Sequence, residues 1–247
     1  MSGHSKWANI KRQKQAADVK RGAIFSKLSR LITLAVVEGG GITDPDHNVK
    51  LRLAIEKAKQ ANMPKENIKR AIDRGLGPEK DQIKEIIYEA FASGGVALLI
   101  LTTTDNSNRT RGQIREILDK NEGKIANPGA VSYLFTRCGL LTVEKNKVNE
   151  EKIFEIAQNL AALDIEEDNN FFYVYIPFEN IGKVNKFLDK SIIDSIEIDF
   201  KPKTLVTIEN RQVAEKTLNL IDLLEKQDEV QKVFANFDIP DEFLKNS

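Results

Sequence analysis

The sequence predicts an α+β protein: an N-terminal helical bundle followed by two α/β domains, the last a ferredoxin-like βαββαβ unit inserted in the other. Three observations carry this. Apolar residues recur at helical spacing through residues 1–77. A polar Gly/Pro stretch at 76–82, LGPEKDQ, then gives way to β-branched and aromatic runs. Finally, residues 138–201 read as strand, helix, strand, strand, helix, strand, the order of a split βαβ unit.

From Gly22 to Glu38, Ile24, Leu28, Leu31, Ile32, Ala35 and Val36 fall on one helical face, and Gly39-Gly40-Gly41 stops the pattern. Asp44-Pro45-Asp46 is expected to open a second helix through Leu51, Ile55 and Ala58, ended by Asn62-Met63-Pro64. Pro64 suits the first turn of a third helix, lined by Ile68, Ala71 and Ile72 and closed by Gly75. Strands follow at 85–92 and 96–103, a helix at 108–120 and a strand near 131–135. The six-segment unit reads as strand 139–143, helix 150–161, strands 163–167 and 171–176, helix 181–188 and strand 192–200. A strand at 204–208, a helix at 213–226 and a strand at 230–236 then return to the interrupted domain. The expected domains are 1–77, a basic helical domain with an N-terminal arm; 83–136 plus 204–240, a discontinuous α/β domain; and 137–203, the insert.

The formal net charge is zero, with 37 basic and 37 acidic residues, yet the charges are segregated. Residues 1–77 hold 16 of the basic and 7 of the acidic residues, leaving 21 and 30 to the remainder, a split of +9 against −9. Such asymmetry points to a polyanion partner for the basic part and leaves the acidic domains to a protein partner. Cys138 is the only cysteine, which excludes an internal disulfide and any cysteine-based metal site on one chain. The longest apolar runs, such as Val96–Leu101, are strand-sized, far below the roughly 20 residues that span a bilayer. No membrane segment is expected. The start, MSGHSKWANIKRQK, has charge but no apolar core, and Asp18 comes early for a transit peptide, so the cytoplasm is the expected compartment.

His4 and His47 have no neighbouring groups at the spacing of a catalytic triad, a zinc site or an H-E-x-x-H helix. No catalytic residue, metal or cofactor is expected. Gly39–Gly41 and Gly94-Gly95 lack the arrangements that cradle phosphates and read as turns. The strongest local signal is the arm: Lys6, Lys11, Arg12, Lys14, Lys20, Arg21, Lys27 and Arg30 against a single acid, Asp18. An unpaired surplus of this kind neutralises phosphates and releases counterions. Trp7, within the arm, can stack on a base or pack against a helix.

A second basic set, Lys65, Lys69, Arg70 and Arg74, faces away from Ile68 and Ile72 and suits a solvated face and a phosphate contact equally. In Asp105-Asn106-Ser107-Asn108-Arg109-Thr110-Arg111, capping residues end a strand and open a helix. Arg109, Arg111 and Arg115 are left over for phosphate or a partner's carboxylates. Phe171, Tyr173 and Tyr175 would share a strand face, as base-stacking aromatics do in RNA-recognition motifs. The preceding Glu166-Glu167-Asp168 and a first strand without aromatics argue against that use.

Gly3-His4-Ser5-Lys6-Trp7-Ala8-Asn9-Ile10-Lys11, Asp18-Val19-Lys20-Arg21, Asn62-Met63-Pro64-Lys65-Glu66-Asn67-Ile68 and Thr104-Asp105-Asn106-Ser107-Asn108-Arg109-Thr110 closely resemble the YebC/PmpR family. That family also includes the mitochondrial translational activator of cytochrome oxidase subunit one. The resemblance spans nearly the whole chain in order. It implies a three-domain, non-enzymatic cytoplasmic protein acting on gene expression. It implies either a DNA-binding transcriptional regulator or a ribosome-associated factor that relieves stalling at stretches such as proline runs. In Tyr88–Gly95 this chain lacks the further glycine and the proline that the family commonly has before the Gly pair.

Overall fold

The structure, a computed structural model, describes residues 21–78, 80–189 and 191–244. Helices α1 (Arg21–Glu38), α2 (Val49–Gln60) and α3 (Lys65–Arg74) come first. Strands β1 (Lys84–Phe91) and β2 (Ala97–Thr104), helix α4 (Ser107–Lys120) and strand β3 (Lys124–Ile125) follow. The middle stretch is β4 (Phe135–Glu144), α5 (Glu150–Asn159), β5 (Asp164–Glu167), β6 (Phe171–Pro177), α6 (Val184–Phe187) and β7 (Ile193–Pro202). Then come β8 (Val206–Thr207), α7 (Arg211–Glu225), β9 (Val230–Ala235), β10 (Phe237–Asp238) and α8 (Asp241–Leu244). Two compact units result: Phe135–Lys203, and the described residues on either side of it.

In the helical module, Leu28, Ile32, Ala35 and Val36 of α1 form one core with Leu51, Ala54, Ile55 and Ala58 of α2, Met63, and Ile68 and Ala71 of α3. Both α2 and α3 pack on α1. One close approach is at Gly75, where an added Cβ would lie 2.7 Å from Val36 Cβ and 3.0 Å from the Thr33 carbonyl. Thr33, buried on α1, donates its hydroxyl to the Ala71 carbonyl at 2.8 Å. Glycine therefore ends α3 because α1 leaves no room for a side chain. Gly40 and Gly41 end α1 for a different reason, at φ 67° and 86°.

The second helix begins later than the Asp44-Pro45-Asp46 signal suggests. Asp44 makes a local turn, accepting the Asp46 N–H at 2.9 Å and meeting His47 Nδ1 at 2.8 Å. The cap is Asn48: its Oδ1 accepts the Leu51 N–H at 3.1 Å, and its Nδ2 donates to the carbonyls of Ala35 (2.8 Å) and Ile42 (3.1 Å). One buried amide thus caps α2 and also satisfies a carbonyl at the end of α1.

Beyond the helices, an antiparallel sheet of order β3-β1-β2-β9 carries the second core, and β8 and β10 form a short parallel pair. Leu98 and Ile100 of β2 pack with Ile114 and Leu118 of α4, Leu218, Ile221 and Leu224 of α7, and Val233 and Ala235 of β9. Leu99 and Phe234, paired across β2 and β9, are buried on the opposite face, and α1 packs along β2. The strand expected near 131–135 is absent: Ser132–Leu134 is a 3₁₀ turn and β4 starts at Phe135. The physical reason is Glu89. Its buried carboxylate accepts the N–H groups of Gly129 (2.6 Å), Val131 (2.6 Å) and Ser132 (2.9 Å), so these donors are not available to a sheet ladder. Burial opposes ionisation of Glu89, but those three backbone bonds outweigh it and hold its pKa below the ordinary carboxylate value.

The Phe135–Lys203 unit has the expected βαββαβ order, with all strand pairs antiparallel and a sheet order β5-β6-β4-β7. Leu141 and Val143 of β4 stand beside Val174 and Phe172 of β6, all buried. The second helix is tighter than expected: Phe178–Lys183 is 3₁₀ and only Val184–Phe187 is α-helical. Gly139 on β4 admits that segment, since a Cβ there would come within 2.5 Å of Ile181.

Two outcomes test these assignments. Asn48→Ala is expected to cost about 1–3 kcal/mol in urea unfolding, because it removes a cap and orphans buried groups, whereas Asp44→Ala should leave the midpoint nearly unchanged. For Glu89 the folded pKa lies below its ordinary value of 4.5, so its contribution is fully present above that pH and fades as pH falls through the folded pKa. The stability gap between wild type and Glu89→Gln should therefore be flat above pH 5 and shrink in acid; a gap that does not change with pH rules this out.

Candidate nucleic-acid interface

Two of the expected phosphate contacts lie on the inner side of α1. Lys27 Nζ donates to the carbonyl of Glu225 and, at 2.8 Å, to that of Val230. Arg30 donates to the Asp228 carbonyl at 2.6 Å. Glu225 is the last residue of α7, where unpaired carbonyls and the negative end of the helix dipole favour a cation. Their partners lie 198 or more residues away in sequence, so nothing local marks these two cations as internal.

The turn from β2 into α4 is similarly engaged. Asn106 caps α4 by accepting the Arg109 N–H at 3.1 Å, and Thr104 Oγ1 accepts the Asn106 N–H at 2.9 Å. The Thr110 hydroxyl, 2.7 Å from Thr104 Oγ1, donates to the Glu229 carboxylate, which is only 6% exposed. The Arg109 guanidinium bridges that same carboxylate and Asp105 Oδ1, the latter at 2.7 Å. Hydrogen bonds to Glu229 and then Asp105 raise the Arg109 pKa above its ordinary value. Arg109 thus has two acidic partners inside the fold. Arg111 and Arg115 remain on the exposed side of α4, Arg115 with Asp119 one turn on at 3.5 Å.

The basic row of α3 is different. Lys65, Lys69, Arg70 and Arg74 are all exposed, opposite the buried Ile68 and Ala71. Arg70 bonds its own helix, to Asn67 Oδ1 and the Glu66 carbonyl. Among the described residues, none of the four is within ion-pair distance of a carboxylate. Arg21 opens α1, while Lys6, Trp7, Lys11, Arg12, Lys14 and Lys20 lie outside the described residues.

Two family descriptions match the chain: TACO1/YebC protein N-terminal domain over residues 5–78, and TACO1/YebC second and third domain over residues 83–237. The chain belongs to the TACO1/YebC family. A Rubrobacter xylanophilus relative named "Probable transcriptional regulatory protein" is 46% identical over 248 residues, 99% of this chain and 98% of its own. An Aquifex aeolicus protein of the same name is 43% identical, with 99% of each chain covered. The crystal structure of a conserved hypothetical protein from Aquifex aeolicus aligns with a TM-score of 0.82 at 42% identity, over 90% of this chain and 92% of that one. Because the first match begins at residue 5, the basic arm is part of the family's N-terminal domain.

The aromatic strand face in this family member is not a stacking platform. Tyr173 and Tyr175 are buried beside Cys138, and their hydroxyls reach Asp168 (2.7 Å) and Glu166 (3.4 Å). Lys201 lies 3.8 Å from the Tyr175 ring centre. Burial works against its ammonium, but hydrogen bonds to Glu166 and Asp164 outweigh that and raise its pKa. No group of His, Cys, Asp and Glu among the described residues is placed to hold a metal ion, and no described helix is long and apolar enough to cross a membrane. Sequence reading missed Glu89 and Glu229, two acids that are buried because distant donors surround them. Arg109→Ala, which leaves Glu229 buried without its cation, should lower the thermal midpoint clearly, while Arg111→Ala should not; equal midpoints in a melting scan would contradict the bridging role.

Proposed function

We propose that this protein is a non-enzymatic, nucleic-acid-binding regulator of gene expression, docking its basic N-terminal module on phosphates and acting on DNA as a transcriptional regulator. The observation that carries this is the α3 row of exposed cations, which have no acidic partners among the described residues, in the same module as the basic arm. The contacting set is Lys6, Trp7, Lys11, Arg12, Lys14, Lys20 and Arg21 of the arm with Lys65, Lys69 and Arg70 of α3, and Arg111 and Arg115 as a secondary contact. The names of the curated relatives support the regulatory role. The three-part division at 1–77, 83–136 plus 204–240, and 137–203 gives the acidic parts to protein partners, in the cytoplasm. No cofactor enters this reading.

A second reading is favoured by one observation: α2 and α3 both pack on α1, so among the described residues no helix stands out to enter a major groove and read base edges. Phosphate-led binding of that kind also fits ribosomal RNA, with the protein acting as a ribosome-associated translation factor that relieves stalling. The family description, which joins TACO1 with YebC, agrees with this.

Binding of the full chain to a DNA duplex and to a ribosomal RNA fragment should be followed across salt concentration, with Lys11/Arg12/Lys14→Ala and Lys65/Lys69→Ala variants. Each lost contact should reduce the log-salt slope by about 0.9 on duplex DNA or about 0.7 on single strands, with little change in folding stability. Unchanged slopes in both variants would remove the proposed interface. Crosslinking in cells then separates the targets, with reads at promoters for DNA and on ribosomal RNA for the ribosome.

A further inference from the structure

Lys27, Arg30, Arg109, Thr110 and Glu229 converge on one short stretch of chain. The 225–230 segment leaves α7 and enters β9. From one side it receives Lys27 on the carbonyls of Glu225 and Val230, and Arg30 on that of Asp228. From the other side its only buried carboxylate, Glu229, is held by Arg109 and Thr110 of the β2–α4 turn, while the Glu229 carbonyl accepts the Thr103 N–H at 2.9 Å. Backbone carbonyls can serve as a docking platform only if their direction is set; here the end of α7 sets that of Glu225 and the β2–β9 pairing that of Val230, with turn bonds from the Gln227 N–H to Leu224 and the Val230 N–H to Gln227 between them. Glu229, next to Asp228 and one residue from the 230 end, adds the anchor that ties this turn to the β2–α4 side.

We propose that Asp105, Arg109 and Thr110 are positioning residues: through Glu229 they orient the 225–230 carbonyls onto which Lys27 and Arg30 dock the helical module. In this arrangement the Thr104–Thr110 motif contacts no nucleic acid. It determines how the module that does so is presented, and Lys27 and Arg30 belong to the docking contact rather than to the phosphate-binding set. Only the second of these statements rests on the function proposed above.

Hydrogen exchange read by mass spectrometry on the full chain tests the docking part without any ligand. Arg109→Gln and Thr110→Val should speed exchange in α1 about tenfold, although both residues bond Glu229 and not α1, and Thr110→Ser should restore protection. Loosening confined to 225–230 with α1 unchanged would overturn the proposal. So would an equal rise across Phe135–Lys203, which would signal general destabilisation.

The salt dependence of binding to a DNA duplex tests the remainder. Lys27→Met with Arg30→Gln should weaken binding while leaving the log-salt slope as in wild type, since no phosphate contact is lost. A slope lower by about 0.9 for each cation would assign both to phosphates and overturn their docking role. If the wild type binds no nucleic acid, the function proposed above fails, and the exchange result alone decides the docking.

Discussion

A carboxylate taken out of water must find donors, and the burial of Glu229 shapes everything around it. Left unpaired, such a group costs several kcal/mol; here Arg109 and Thr110 supply the donors, and both lie in the first turn of α4. The position of that turn relative to β9 is therefore determined by chemistry rather than by shape alone. The same stretch of chain presents its carbonyls to Lys27 and Arg30. One buried acid thus links the sheet, the helix beside it and the N-terminal helices into a single compact unit.

Glu89 solves the same problem by another route. Its main donors are three backbone N–H groups from one loop, joined by the Ser132 side chain of the same loop, so the carboxylate fixes a chain path. That path leads from the β3 edge to the start of β4, and it replaces the strand that the apolar and aromatic residues at 131–135 suggest. A backbone whose N–H groups bond a side chain cannot also offer them to a neighbouring strand. The two acids differ accordingly in what they constrain: Glu229 holds elements together, and Glu89 shapes a connection.

Much of the architecture was legible in the sequence because its signals are local. Helical spacing in α1, the glycines after it, the apolar run in β2 and the βαββαβ order all act within a few residues of where they are read. The start of α2 was misplaced by a local rival: Asp44 has the chemistry of a cap, but Asn48 has a carbonyl of α1 to satisfy as well as the helix. The roles of Lys27, Arg30 and Arg109 were illegible for a plainer reason. Apart from the Asp105 that Arg109 also meets four residues back, their partners are 198, 198 and 120 residues away, and no pattern within a window of the sequence joins them.

This changes what the charge segregation means. A basic excess in the first 77 residues measures how many cations the module carries, and some of those cations complete internal contacts. Lys27 and Arg30 offset helix-end and loop carbonyls, and Lys50 pairs with Glu38. Among the described residues of that module, exposed cations line the outer face of α3, where Lys65 and Lys69 stand one turn apart opposite the buried Ile68. A row of that kind tracks a backbone and carries little base-edge discrimination. Under the function proposed above, specificity for a target would come from how the module is held and from what the acidic domains engage, which would make the contacts at 225–230 part of recognition.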